Sequence, residues 1–251
     1  MNVPALRLTH EAQSDVGAVR QVNEDSFVAL PEHGLWAVAD GMGGLENGQW
    51  ASGAVVEALS RLSPESDFDA AAAKVAEAIH QANATINAAV RESGHNMGST
   101  AAALMILGRR FAVFWAGDSR VYLLRGGQLF RMTEDHTQVQ DMVSRGLLSE
   151  EEAAHHPMRH VISRAVGVEP TLELDAVADE VQIDDVFLLC SDGLYGVVSD
   201  DEIAQALAVN PVSAARDLVA LSLSRGAPDN VTVVTVCCEE TTLLMFKSEP
   251  A

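Results

Sequence analysis

The chain has 251 residues, 48% hydrophobic and 21% charged, enough for one substantial core, and no linker or low-complexity tract divides it. Sixteen Lys and Arg face 36 Asp and Glu, a formal net charge of −20 that keeps the chain soluble, argues against nucleic acid and anionic membranes as partners, and suits divalent cations. Cys190, Cys237 and Cys238 suggest no disulfide framework, the opening stretch lacks an apolar signal core, and no apolar run nears the ~20 residues that span a bilayer, so a reduced, cytoplasmic setting is expected.

In chain order, "FVALP" and "LWAVAD" read as the first strands, separated by the turn "EHG". "QWASGAVVEALSRL" has helical spacing, and "DFDAAAAKVAEAIHQANATINAAVRE" is a longer, Asp-started helix. "STAAALMIL", "RRFAVFWAGD" and "RVYLLRGGQLFRM" follow as strands, with "GRR" and "RGGQ" as hairpin connections. Asp135 to Pro157 is polar and helical in pattern. "TLELDAVA" and "DVFLLCSD" are strand-like. "SDDEIAQALAV" and "PVSAARDLVALSLSRGA" read as helices, and "NVTVVTVCCE" as the last strand. Strands come in adjacent groups with helices in pairs between them, which predicts an α+β fold of antiparallel sheets covered by helices.

Acidic residues recur where apolar runs end. Glu24 and Asp25 stand in "VNEDSF", Asp40 in "VADGMGG", Asp118 in "FWAGDSR", Asp192 in "LLCSDGLYG" and Asp229 in "GAPDNVTVV". Any one alone is an ordinary turn residue beside Gly. Together they would converge on one rim of a packed sheet, where carboxylates repel unless protonated or bound to a cation. Oxygen ligands with little His or Cys point to Mg²⁺ or Mn²⁺ rather than zinc. At Gly41 no side chain shields the backbone, so its carbonyl is a further candidate ligand. Arg20 lies four residues before Glu24; in a strand the two would share a face, and the guanidinium would suit a phosphate or, less specifically, a surface ion pair.

The stretches "RQVNED", "VADGMGG", "MGSTAAAL", "WAGDSRVYLL", "LLCSDGLYGVVSDDEI" and "APDNVTVV", in that order from about residue 14 to residue 238, resemble the metal-dependent serine/threonine protein phosphatases of type 2C, in particular the bacterial branch. The resemblance implies a four-layer α-β-β-α sandwich, one phosphatase domain over residues 1–251 and a mobile flap at about 135–167. It implies that Asp40 bridges two Mn²⁺ or Mg²⁺ ions, with the Gly41 carbonyl on one. Asp192 and Asp229 would bind the first ion, and Glu24 and Asp25 would hold waters of the second. Asp118, with Asp192, would hold a third, weaker ion. Arg20 would grip the substrate phosphate, and a metal-bridging hydroxide would attack phosphorus in line. Phosphorylated proteins of a cognate Ser/Thr kinase are the implied substrates, and a monomer is expected.

Other features read more plainly. His156 and His160 in "HHPMRH" have a chelating spacing, but Pro157 interrupts the helix this needs. Cys237 and Cys238 suggest core and surface alternating along a strand, and Asp200 and Asp201 suggest helix caps. A cysteine-based phosphatase is disfavoured because Gly196, not Arg, stands six positions after Cys190. A phosphoprotein-binding regulatory module and a two-metal hydrolase of small phosphoesters stay open beside the protein phosphatase. Met42 stands where many eukaryotic members have the His proposed as general acid; a metal-bound water, or another His such as His136, His155, His156 or His160, is then expected to protonate the leaving alkoxide.

Overall fold

The computed structural model describes residues 6–44, 46–154 and 156–241. Its elements in order are β1 (Leu6–Asp15), β2 (Asp25–Leu30), β3 (Leu35–Met42), α1 (Glu46–Ser60), α2 (Phe68–Ser93), β4 (Gly98–Ser99), β5 (Ala101–Leu107), β6 (Arg110–Ala116), β7 (Arg120–Arg125) and β8 (Gln128–Arg131). Then come α3 (Gln138–Ser144), α4 (Glu150–Ala154), β9 (Asp175–Glu180), β10 (Val186–Cys190), α5 (Asp192–Tyr195), α6 (Asp200–Val209), α7 (Ala214–Ser224) and β11 (Val231–Glu240). Two antiparallel sheets result, in the orders β1-β11-β10-β7-β8 and β2-β3-β5-β6-β9, with β4 paired to β3.

Side chains along β3 alternate between two cores. Ala37 and Ala39 face α1 and α2, joined by Ala101 and Ala103 of β5 and packed against Val55, Leu59, Ile79 and Ile86. Trp36 and Val38 turn the other way, into a core between the sheets with Leu104, Val113, Leu189 and Val234. There Phe111 and Phe187 meet edge to face, 4.9 Å between centroids. The outer face of the β1-β11-β10-β7-β8 sheet carries Tyr122, Leu188 and Val233 and is covered by Ile203, Leu207, Leu218 and Val219 of α6 and α7. Small alanines on the helix-facing side of the β2-β3-β5-β6-β9 sheet let α1 and α2 approach. The layers are therefore helix pair, sheet, sheet, helix pair, as expected.

Three expectations needed correction. The strand β1 was not anticipated; it is half exposed, and its "LRLTHEAQSD" is too polar to stand out, yet it pairs with β11 from Leu6↔Glu240 to Asp15↔Val231. The strand expected from Thr171 begins only at Asp175, while Leu172 is already buried in the helix-side core. Cys237 and Cys238 alternate between two cores, not core and surface: Cys238 lies between the sheets and Cys237 under the outer helices. Burial pushes their thiols up to about 11 and about 12, which keeps them protonated and unreactive.

Register decides where the acids go. Asp25 pairs with Asp40, so the start of β2 and the end of β3 coincide. Cys190 pairs with both Val233 and Arg120, so the end of β10 meets the beginnings of β11 and β7. Asp192 follows β10, Asp229 precedes β11, and Asp118 precedes β7. Antiparallel pairing thus brings all of these ends to one rim of the sandwich.

Candidate metal centre and active site

At that rim opens a cleft of about 970 Å³ whose walls include Arg20, Glu24, Asp40, Gly41, Asp118, Asp192 and Asp229. Asp25 lies beneath it, buried. The Ser191 hydroxyl donates to Asp25 Oδ2 at 2.6 Å, and Ser191 Oγ accepts the Thr232 amide. All eight residues expected at the site (Arg20, Glu24, Asp25, Asp40, Gly41, Asp118, Asp192 and Asp229) are therefore in or directly under one cleft.

Hydrogen bonds to the backbone fix the positions of Asp40 and Glu24. The Asp40 amide donates to Thr100 Oγ1 (2.8 Å), the Thr100 amide returns a bond to the Asp40 carbonyl (2.8 Å), and Ser119 Oγ lies 2.6 Å from Thr100 Oγ1. Asn230 fastens the segment before β2 to the head of β11. Its Oδ1 accepts the Glu24 amide, and its Nδ2 donates to the carbonyls of Val16 and Val22. Thr100, Ser119, Ser191 and Asn230 were not singled out from the sequence. Each stands in or beside a quoted motif, but hydroxyls and amides there are also ordinary turn residues.

Glycine at 41 answers a packing demand. A Cβ there would lie 2.0 Å from the Gly48 carbonyl oxygen of α1 and 2.7 Å from that of Glu24, so β3 and α1 could not touch. A Cβ on Gly48 would in turn strike Glu24 Oε1. The two glycines let the N-terminal part of α1 press against the acidic rim.

Burial is the chief cause of the unusual proton affinities here. It pushes Asp25 and Asp118 up to about 6 and Asp192 up to about 8. Asp40 is raised well above the usual carboxylate range, first by burial, then by the charges of Asp25, Asp192, Asp118 and Asp229. Glu24 is raised by burial too. Among the described residues, the buried oxygens Asp25 Oδ1 and Glu24 Oε1 have no hydrogen-bond partner. Repelling carboxylates and orphaned acceptor oxygens are what a hard cation would resolve. Among the described residues no three acidic, His or Cys side chains close into a ready cage. An open ring of carboxylates suits Mg²⁺-like ions, which keep several waters.

Arg20 does not sit in a strand; β2 starts only at Asp25, so the shared-face argument fails. It reaches the cleft from the preceding loop and donates to Asp229 Oδ2 at 2.7 Å, with about half of its side chain exposed. Bonding to Asp229 raises its pKa, with burial opposing.

The histidines separate clearly. His136 is buried: Nδ1 accepts the Gly117 amide and Nε2 lies 3.1 Å from Asp175 Oδ2, away from the cleft. His156 and His160 stand on turns, not along a helix, so the chelating spacing is not realised. His160 lines the cleft with Nδ1 3.7 Å from Asp192 Oδ2, and burial lowers its pKa, with the Arg159 charge adding to this. His155 lies outside the described residues. Asp200 and Asp201 are not caps; Ser199 caps α6 in a capping box with Glu202, and Asp200 accepts from the Tyr122 hydroxyl.

The region expected as a flap is anchored at its base. Asp135 is gripped by Arg120, Thr137 bridges to Ile162 and Ser99 to Val166, and the Gly167 amide donates to Asn83 Oδ1 at 2.6 Å. Between these anchors Arg159 to Ile162 line the cleft, while Val139 and Gln140 of α3 and Ala153 of α4 line a smaller adjoining cavity.

A family model described as protein phosphatase 2C matches residues 2–142. The serine/threonine protein phosphatase PstP of Mycobacterium tuberculosis is 43% identical over 91% of this chain, which spans only 45% of that relative's length. The serine/threonine phosphatase stp of Listeria monocytogenes is 32% identical over 90% of this chain and 94% of its own. The solved catalytic domain of the serine/threonine protein phosphatase PstP, in complex with two manganese ions, superposes with a TM-score of 0.84 at 39% identity, covering 94% of this chain and all of that one.

Proposed function

The chain belongs to the protein phosphatase 2C family, and on that premise we propose that it is a single phosphatase domain that hydrolyses phosphoserine and phosphothreonine on proteins with Mn²⁺ or Mg²⁺. The observation that carries this reading is the acidic rim. Buried carboxylates with raised proton affinity and orphaned oxygens face a cleft that also holds a guanidinium. Asp40 would bridge two ions, with the Gly41 carbonyl on one. Asp192 and Asp229 would complete the first site, Glu24 and Asp25 the second through water, and Asp118 with Asp192 a weaker third. When bound, two such ions make water a nucleophile at neutral pH and neutralise phosphate charge.

The chain's own residues supply position and orientation. The Thr100–Ser119 pair fixes the Asp40 backbone, and the Ser191 hydroxyl occupies one oxygen of Asp25, leaving Oδ1 without a partner among the described residues. Arg20 would release Asp229 to a cation and turn its fork to the substrate phosphate. Met42 has no proton to give, so the leaving alkoxide takes its proton from solvent or from His160, the one of the four candidate histidines that lines this cleft among the described residues. The substrates implied are proteins phosphorylated by a Ser/Thr kinase, and the setting proposed is cytoplasmic and signalling. No helix among the described residues is long and apolar enough to cross a membrane.

Turnover of a phosphothreonine peptide, compared with a panel of small phosphoesters at equal Mn²⁺, tests the proposal, with Asp40→Asn as the blank. The peptide should be preferred and the blank inactive. A preference for metabolites would replace the protein-phosphatase reading, and wild-type rates in Asp40→Asn would end the two-metal assignment.

A further inference from the structure

Beside the cleft lies a second cavity of about 280 Å³, and the two share Arg159, His160 and Gly196 in their walls. Arg120, Arg131, Asp135, Thr137, Gln140 and Tyr195 complete its polar lining. Arg120 is fully engaged there. Its Nε and Nη2 hold Asp135 at 2.9 and 2.6 Å, Nη1 donates to the Tyr122 hydroxyl, and the guanidinium stacks 3.6 Å from the Tyr195 ring centre. That fork uses both oxygens of Asp135. Arg131 Nη1 is left 4.0 Å from Oδ2, outside hydrogen-bond reach, although the Arg131 side chain is only 32% exposed. Arg159 forms no ion pair among the described residues. Three guanidiniums thus face one carboxylate, a local positive excess in a chain of net charge −20.

Two guanidiniums that hold no carboxylate within hydrogen-bond distance line one hollow, and together they suit an anion with several acceptor oxygens. A hollow of about 280 Å³ has room for a side chain but not for a folded element. Because Arg159 and His160 belong to both cavities, a polypeptide with its phosphorylated residue in the cleft would bring a neighbouring side chain to the second. We propose that this cavity is a subsite for an anionic side chain of the substrate polypeptide, either an acidic residue or a second phosphorylated one, with Arg131 as its principal anchor. The inference rests on the protein-phosphatase reading and adds to it a class of preferred substrate: phosphoserine or phosphothreonine with an anion a few residues away.

The test uses the Mn²⁺-loaded full chain and peptides with one central phosphothreonine. Positions from four before to four after it carry Ala, Glu, Lys or a non-hydrolysable phosphonate analogue of phosphoserine. At one position the anion should lower KM about tenfold relative to Ala, the gain of one charge-assisted bidentate contact, and Lys there should raise it. The phosphonate gaining more than Glu would identify a second phosphorylated residue as the natural occupant; equal gains would identify acidic sequence. In Arg131→Gln, checked for an unchanged melting temperature, the acidic-to-neutral ratio should fall to about one. In parallel, fluorescence anisotropy with the central phosphate also replaced by a phosphonate reads binding without turnover. Hydrolysis without any charge preference overturns the subsite and leaves the phosphatase intact. Charge-selective binding without hydrolysis supports the subsite and sinks the phosphatase. A charge preference that survives in folded Arg131→Gln also overturns the subsite.

Discussion

Replacing Asp192 with Asn should make the metal-free protein more stable, although it removes a proposed metal ligand. Burial pushes the Asp192 carboxyl up to about 8, with Asp118, Asp229 and Asp25 adding repulsion, whereas in the unfolded chain an Asp titrates near ~3.9. At pH 7 folding must therefore protonate a group that is ionised when unfolded, at roughly 4 kcal/mol. The side chain keeps 19% of its exposure and shares the repulsion with its neighbours, so about half, roughly 2 kcal/mol, is assigned to this residue alone. Asn imitates the protonated acid in shape and escapes that cost. For a chain of this size the gain corresponds to roughly 4–8 °C in melting temperature. The sign with pH follows. A carboxyl raised in the folded state favours folding below its unfolded pKa and loses that advantage as pH climbs to its folded pKa. Wild type and variant should thus coincide near pH 4 and diverge up to about pH 8. Saturating Mn²⁺ should reverse the order, since each ion at a hundredfold excess over its Kd stabilises wild type by ~2.7 kcal/mol. Thermal denaturation from pH 4 to 8, with EDTA or Mn²⁺, measures all of this. If metal-free Asp192→Asn melts at or below wild type at pH 7.5, the carboxylates are not held in mutual repulsion and the reasoning is wrong.

Exhaustive chelation should abolish turnover and lower the melting temperature, with added Mn²⁺ or Mg²⁺ restoring both; an enzyme fully active after chelation needs another mechanism. Arg20→Ala should raise KM for a phosphopeptide about ten- to a hundredfold through loss of a bidentate contact, while the Mn²⁺ titration midpoint stays put. An unchanged KM would reduce Arg20 to the ion pair it makes with Asp229. Met42→His should speed cleavage of phosphothreonine and leave aryl phosphates, whose leaving groups need little protonation, almost unaffected. His160→Ala should leave the alkyl-to-aryl rate ratio unchanged if solvent is the acid; a selective collapse of the alkyl rate would make His160 the donor.

Much of the rim could be read along the chain because an acid beside Gly at the end of an apolar run stands out in one dimension. Asp40, Asp118 and Asp192 have that signature, and antiparallel pairing does the rest. Their supports do not stand out. Thr100 meets Asp40 across 60 positions, and Asn230 meets Glu24 across 206, so which hydroxyl or amide matters depends on register alone. The same limit hid β1, whose polar alternation suits an edge strand facing water on one side. It also misled the reading of Cys237 and Cys238: alternation was right, but a strand between two cores has no surface face. The cavity beside the cleft was invisible for a further reason. Arg120 and Arg131 lie on the two arms of the expected β7–β8 hairpin, but nothing in the sequence brings Arg159, on the turn after α4, to them.

The Arg20–Asp229 pair joins metal and substrate recognition in one contact. In the protein without cations it is the only ion pair recorded for either residue among the described residues, and both side chains are partly open to water, 49% and 34%. Pairs so exposed are worth ~0–1 kcal/mol, too little to hold Asp229 against a divalent ion. A cation that took Asp229 would therefore free the guanidinium at little cost. The same residues that repel one another without metal would then hold the metal and release Arg20. By reciprocity the coupling that this pair could carry between metal and phosphate is no more than ~1 kcal/mol, in keeping with a Mn²⁺ titration midpoint that stays nearly unchanged in Arg20→Ala.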